Sequence, residues 1–303
     1  MPVKVTMISP DDGSLLKEQD GYWVSEAGIR YPVMNGIPDL RPQKGVKGHI
    51  EYELQNHASF RNYVYQRSLV PMFPENLRIQ DDLKESNISG FVPPAHENAF
   101  CLDHGCGGGS MRSFLESYGY EYVGIDNESG VTTDQGGGER FGGGATHVGD
   151  LHRLPFPDNT FQFSVSYSVF EHLQQPIVAA KELFRVMEPG GICFAAVASI
   201  IPFHMDSFYH HTHFGVLNTF ASAGFEVKQI VPADWNAYVA ISAMDGLPGP
   251  KWIRNLAANT IFGLHRFLWH FRTISKRRDP QLEETRRRLL MPGIVKAILV
   301  KPG

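Results

Sequence analysis

Apolar residues fall along this chain in two rhythms. Between residues 99 and 198, short segments rich in apolar residues recur at 99–104, 121–125, 146–149, 162–167 and 191–198, three of them ending at Gly105, Asp126 and Asp150. Between them, 109–118 and 174–187 carry apolar residues three and four positions apart, the period of a helix with one buried face. Strands buried on both faces that alternate with helices predict an α/β fold with a parallel sheet, whose ligands sit at the carboxyl ends of the strands where strand order reverses. A helix is then expected at 214–223, closed by Ala223-Gly224-Phe225, followed by strands at 226–231 and 295–300. Residues 1–42 read instead as short polar hairpin-like pieces, a small β-rich annex. Residues 43–98 mix aromatic and apolar residues at helical spacing until Pro71, Pro74, Pro93 and Pro94 break the pattern into a linker. The main domain spans 99–303, with an insertion at about 232–290.

The first buried run ends in Asp103-His104-Gly105-Cys106-Gly107-Gly108-Gly109, and the second ends on Asp126, followed by Asn127. A strand that enters a glycine turn and then a helix offers free backbone N–H groups to a ligand, and an acid about 20 residues on can accept both hydroxyls of a ribose. That is the layout of a nucleotide cradle. A dinucleotide fingerprint would place its third glycine three residues after the second, whereas Gly105, Gly107 and Gly109 alternate behind an acid.

Asp103-x-Gly105-Cys106-Gly107-x-Gly109 resembles the first motif of the class I S-adenosylmethionine-dependent methyltransferases. Gly149-Asp150-Leu151 with Leu154-Pro155-Phe156-Pro157-Asp158, Phe170-Glu171-His172-Leu173, and Leu183-Phe184-Arg185-Val186 leading to Pro189-Gly190-Gly191 are similar to that family's later segments, in its order. The resemblance implies a Rossmann-like sheet of seven strands and S-adenosyl-L-methionine as methyl donor, with S-adenosyl-L-homocysteine as product. It implies that Asp103, Gly105, Cys106 and Gly107 lie by the methionine part, and that Asp126 and Asn127 lie at the ribose. Asp150 and Leu151 would meet the adenine, while Tyr167 and Ser168 line the methionine side. Tyr52, His57, Phe60, Arg61 and Tyr63 would belong to a lid. The annex, ending in Tyr31-Pro32-Val33-Met34-Asn35-Gly36-Ile37-Pro38, resembles a zinc-ribbon-like domain whose cysteines would stand near Ser9, Asp12, Ser25 and Gly28. With no cysteine before Cys101, it is expected to be a metal-free remnant that covers or docks.

A formal charge of −4 indicates no whole-chain attraction to nucleic acid. Three cysteines without metal or disulfide spacing, and no signal-peptide or membrane-spanning pattern, point to a cytoplasmic enzyme. Methyl transfer is an in-line displacement that mainly needs positioning, and an alcohol acceptor must also lose a proton. Histidine suits that task, which makes His204 the first candidate base, His211 the second and His210 the third, with His213 and Arg254 as further acceptor contacts beside Tyr52 and His57. A divalent metal is not expected, and Glu171 and His172 are the weak candidates for one. The run Ile201-Pro202-Phe203-His204 to Phe214 resembles a sub-group of small-molecule methyltransferases that act on sugars or glycan precursors, so O-methylation of a small polar metabolite is expected. N- or C-methylation and a non-catalytic cofactor-binding subunit remain the alternatives.

Six glycines between 136 and 144 predict an irregular loop rather than a helix beside the adenine. The insertion gathers Lys251, Arg254, Arg266 and Arg272 with Ile261, Leu264, Phe267, Leu268 and Phe271. It admits three readings: a grip on an anionic substrate, a surface helix touching lipid or a partner, or a core-facing apolar stripe with a solvated charged face.

Overall fold

A computed structural model describes residues 5–43, 88–127, 144–200, 207–233, 250–289 and 292–303. The lid candidates Tyr52, His57, Phe60, Arg61 and Tyr63, the base candidate His204, and all but Gly144 of the six-glycine stretch lie outside the described residues.

Seven strands form one sheet. In chain order they are β5 (Phe100–His104), β6 (Glu121–Asp126), β7 (His147–Val148), β8 (Phe161–Tyr167), β9 (Met187–Ala198), β10 (Glu226–Ala233) and β11 (Ile294–Val300). Their spatial order is β10-β11-β9-β8-β5-β6-β7. The strands from β7 to β9 run parallel, and β11 pairs antiparallel with both β9 and β10. Cys101, Leu102, Val123, Ile125, Phe163 and Val165 are all buried, as central parallel strands covered on both faces require. From β5 the chain moves outward to β6 and β7, then returns to the other side of β5 to lay down β8 and β9. The strand order therefore reverses at the β5/β8 boundary, which opens a crevice above their carboxyl ends.

Helices α1 (Arg112–Glu116), α2 (Pro176–Val186) and α3 (His213–Ala223) cover this sheet. α1 is shorter than the 109–118 predicted, because the preceding residues are taken up by consecutive turns in which Gly109 N–H donates to Cys106 O and Arg112 N–H to Gly109 O. α2 starts at Pro176, whose missing N–H costs nothing in a first turn, and buries Ala179, Ala180, Leu183 and Val186. The Thr212 hydroxyl caps α3 by accepting Gly215 N–H at 3.0 Å. α3 then buries Val216, Leu217 and Phe220. The Pro189-Gly190-Gly191 segment lies inside β9, which begins four residues earlier than expected because Gly190 N–H reaches Lys301 O. In the insertion, α4 (Lys251–Ser275) and α5 (Pro280–Leu289) form a helical pair.

The amino-terminal residues form a separate four-stranded sheet of β1 (Lys17–Gln19), β2 (Tyr22–Val24), β3 (Arg30–Met34) and β4 (Ile37–Pro38). Its two turns are cross-linked by oxygen atoms at the positions where the resembling domain carries cysteines. Ser25 Oγ donates to Asp12 Oδ2 at 2.8 Å, while the Ser9 hydroxyl meets Tyr31 OH at 2.8 Å and accepts Asp12 N–H at 3.2 Å. Tyr31 OH donates to Asp11 Oδ2 at 2.6 Å, and hydrogen bonds from the Ser14 backbone and from side-chain hydroxyls hold the Asp12 carboxyl well below the usual carboxylate range. This small sheet docks on the exposed side of β7. Leu40 N–H donates to Val148 O at 2.7 Å, Ile8 N–H to Pro155 O at 3.0 Å, and Asp39 bridges Val148 in parallel. Met7, Tyr31 and Leu40 join the same apolar cluster as Ile125, Leu154 and Phe156. The docking covers a two-residue edge strand that would otherwise offer unpaired backbone groups.

Tyr31→Phe removes the hydrogen bonds that the buried Tyr31 hydroxyl makes with Ser9 and Asp11, so it is expected to lower unfolding stability by about 1–2 kcal/mol. Urea titration measures it, and a chelator should leave the parent's thermal midpoint unchanged. A midpoint that drops on chelation would show that a metal, not this oxygen network, joins the turns.

Candidate functional site

The crevice is floored by the turn that follows β5. Gly105 and Cys106 both donate their N–H groups to Ile125 O, at 2.9 and 3.1 Å, which ties the turn to the end of β6. Gly107 N–H then donates to Asp126 Oδ2 at 2.6 Å, and Asn127 N–H donates to Oδ1 at 2.7 Å. Each carboxylate oxygen accepts one backbone donor and keeps a lone pair for a ligand. Gly105 has φ +76°, and a Cβ there would stand 2.4 Å from Val169 Cγ2; Gly109, at φ +70°, would meet the Gly144 backbone at the same distance. A Cβ on Gly107 would meet only open space, so that position faces the crevice. The turn thus presents bare backbone to whatever lies above it, beside a carboxylate suited to a diol.

The neighbouring strand ends add polar groups. Asp150 accepts His152 N–H at 2.9 Å and lies 2.7 Å from His152 Nδ1, while His152 Nε2 accepts Gln175 N–H at 3.3 Å. Burial alone would raise Asp150, but these bonds from His152 outweigh it and hold the carboxyl below its ordinary value. Leu151 is buried in the same turn. At the end of β8, Tyr167 is partly exposed and Ser168 adopts φ +52°, a conformation that costs energy in a residue with a Cβ and marks a constrained strand end.

Burial shifts several titratable groups beneath this crevice toward their neutral forms. The Asp103 carboxyl is pushed up to about 7 by burial, against the lowering effect of the 2.8 Å bond from Tyr122 OH. Glu171, fully buried in the single turn Phe170–His172, is also pushed up to about 7 by burial. Burial raises Asp126 as well, opposed by the two backbone bonds it accepts. His104 is driven down to about 3 by burial; its Nδ1 lies 3.1 Å from Ser166 Oγ, and its ring stacks 5.5 Å from that of Phe170. His104 carries no role in the sequence reading. An imidazole closing the buried run Phe100–His104, directly after Asp103, is the signal that marks it.

Of the described histidines in the loop after β9, His211 is the most deeply drawn into the structure. It is buried, at 8% exposure, its backbone N–H donates to Ala198 O, and its Nε2 has no hydrogen-bond partner among the described residues. Burial lowers its pKa, opposed in part by the Phe170 backbone. His210 is exposed, with Nδ1 2.6 Å from Ser199 O, so its ring is fixed at the rim. His213 opens α3 and packs against Phe214, at 4.2 Å between ring centroids. Glu171 O accepts Phe208 N–H at 2.7 Å, which pins the histidine loop over the same turn. Arg254 lies within α4, and its side chain is outside those described. Among the described residues no group of three or more His, Cys, Asp or Glu side chains is arranged to hold a metal ion.

A doubly wound sheet with a glycine turn and an acid closing the next strand defines an α/β nucleotide-binding domain. Residues 102–195 match the family described as "Methyltransferase domain". An uncharacterized methyltransferase of Schizosaccharomyces pombe is 43% identical over 54 residues, covering 18% of this chain and 19% of that protein. The 2-methyl-6-phytyl-1,4-hydroquinone methyltransferase of Synechocystis is 35% identical over 102 residues, 31% of this chain and 30% of that protein. The norajmaline N-methyltransferase of Rauvolfia serpentina is 30% identical over 120 residues, 37% and 39% of the two chains. This chain thus spans less than half the length of each of these relatives. Among solved structures, phosphoethanolamine N-methyltransferase 2 of Haemonchus contortus in complex with S-adenosyl-L-methionine is similar at a TM-score of 0.46 and 14% identity, covering 81% of this chain and 57% of that one. The matched span, residues 102–195, runs from β5 into β9 and carries the glycine turn, Asp126 and Asp150, so the methyltransferase-domain match falls on the part of this Rossmann-like sheet that forms the crevice.

Because the Asp103 carboxyl binds its proton more tightly folded than unfolded, its contribution to stability is complete below its unfolded value of 3.8 and is lost as pH rises through about 7. Asp103→Asn should therefore gain stability relative to the ligand-free parent as pH rises from about 5 to about 8, as measured by urea titration at each pH. Parallel stability curves would show that Asp103 is not held protonated.

Proposed function

We propose that this chain is an S-adenosylmethionine-dependent methyltransferase that methylates a hydroxyl of a small acceptor, with sugars and glycan precursors as the first class to test. The observation that carries the donor half is the Gly105–Gly109 turn with Asp126 bonded across it. S-adenosylmethionine, when bound, supplies a methyl group on a positively charged sulfur that leaves as a neutral thioether. The bare turn at Gly105 and Gly107 admits its methionine part, and the free lone pairs of Asp126 accept the ribose hydroxyls. His152 orients Asp150 toward the adenine amine, with Leu151 alongside. Tyr167 and the strained Ser168 form the wall between donor and acceptor.

The acceptor half rests on His211. An imidazole held neutral by burial has a free Nε2 to take the hydroxyl proton, and its low pKa keeps that nitrogen unprotonated at neutral pH. Its neighbours on the loop, His210 and His213, are acceptor contacts in this reading. The names of the relatives favour a second reading, in which the acceptor is methylated at nitrogen or carbon, since they include N-methyltransferases and sterol C-methyltransferases. A third is a subunit that binds the donor without catalysis. The three buried, unpaired cysteines support a reducing, cytoplasmic setting.

Incubating the protein with methyl-labelled donor and a panel of sugars, sugar nucleotides and phenols separates these readings, since a hydroxyl acceptor must take up label. Asp126→Ala should weaken S-adenosylhomocysteine binding at least about tenfold in calorimetry. With an acceptor in hand, kcat/KM should rise with pH and level off below about pH 6.5, the ordinary histidine value, because burial lowers His211. His211→Gln should lower kcat by about 10²-fold or more. Full turnover in that variant would remove His211 as the base.

A further inference from the structure

α4 is the part of the molecule that no catalytic role absorbs. It runs 25 residues, about 37 Å at 1.5 Å per residue. One side packs on α5, where Trp269 Nε1 donates to Glu283 O at 3.0 Å and Thr273 is buried. The opposite side is apolar and open to solvent. Trp252, Leu256, Leu264, Phe267, Phe271 and Ile274 recur at helical spacing, and Trp252, Phe267 and Phe271 are 65%, 66% and 67% exposed. A core-facing stripe with a solvated charged face, one of the readings the sequence admits, is therefore not what α4 is: the side that includes Trp269 and Thr273 faces α5, and the broad apolar side with Trp252, Phe267 and Phe271 faces water.

The charges select the occupant of that face. From Lys251 to Arg278 the chain contains no Asp or Glu and seven Lys or Arg residues, in a protein whose formal charge is −4. Arg266 and Arg272 are exposed along α4, and Lys276, Arg277 and Arg278 gather at its carboxyl end. A groove of about 500 Å³ between α4 and α5 is lined by Arg266, Trp269, His270 and Thr273 of α4 and by Glu284 of α5, whose carboxylate is paired with Arg287 and Arg288, so Arg266 and Arg272 are the charges that flank the apolar face. A second copy of the same face would bring like charges together, with no acid on α4 and the α5 acids Glu283 and Glu284 already paired with Arg278, Arg287 and Arg288. An apolar stripe edged by arginine and lysine matches the boundary of a bilayer with acidic headgroups, where the aromatic side enters the acyl region and the basic groups meet phosphate. No described helix is long and apolar enough to cross a membrane, so the helix would lie along the surface.

We propose that α4 binds the protein to an anionic phospholipid surface. This holds whether the acceptor is methylated at oxygen, nitrogen or carbon.

Sedimentation of the full chain with vesicles tests it. Vesicles of phosphatidylcholine containing about a third phosphatidylserine should carry the protein down, vesicles of phosphatidylcholine alone should not, and high salt should reduce binding. A Phe267→Glu/Phe271→Glu variant, altered at two exposed positions, should keep the parent's circular dichroism and thermal midpoint and lose vesicle binding at least about tenfold. An Arg266→Glu/Arg272→Glu variant should do the same. The proposal is overturned if the parent stays in solution with both vesicles or binds both equally. It is also overturned if the parent is a dimer that Phe267→Glu/Phe271→Glu makes monomeric, which would assign the face to a second copy.

Discussion

The 2.6 Å bond from Gly107 N–H to the Asp126 carboxylate fixes the geometry on which the site depends. It joins the end of β5 to the end of β6 in the one place where a ligand must pass, and the two bonds to Ile125 O lock the turn behind it. The tie requires glycine. A side chain at Gly105 would strike Val169, and one at Gly109 would strike Gly144, so the turn could not approach β6 closely enough for the carboxylate to be reached. Once the turn is fixed, the reversal of strand order beside β5 places Tyr167, Ser168 and the turn carrying Glu171 around the same crevice.

The electrostatics of the crevice follow from its burial. Asp103 and Glu171 sit near their midpoints at neutral pH, while burial disfavours the charged forms of His104 and His211, so the ligand-free site holds acids ready to ionise beside neutral imidazoles. A cationic sulfur placed among them would draw the acids toward their charged forms. The amino-terminal sheet contributes from the other side by closing the edge at β7, and its own turns are held by Ser9, Asp12, Ser25 and Tyr31 through oxygen-to-oxygen bonds.

The strands of the larger sheet were legible as compact segments rich in apolar residues, and 99–104, 162–167 and 295–300 each fall within about a residue of β5, β8 and β11, while their spatial order is seen only in the fold. The glycine turn and the two acids were legible for the same reason, being local in sequence. What escaped was set by tertiary packing. The role of His104 depends on the Ser166 hydroxyl and the Phe170 ring, 62 and 66 positions away, and the burial of Glu171 depends on β9. The sequence order of base candidates, His204 before His211 before His210, rested on position after β9 alone, and only folding shows that His211 turns inward while His210 faces out. α4 was misleading in the same way. Its period is that of a core helix, and only the position of α5 shows that the apolar side is the one left in water.

A crystal structure of the protein with S-adenosylhomocysteine tests the central claim most directly. The account predicts the ribose hydroxyls on the Asp126 carboxylate, with the amino-acid end of the ligand over Gly105 and Gly107. Ligand bound elsewhere, or no ligand at a saturating concentration, would contradict it.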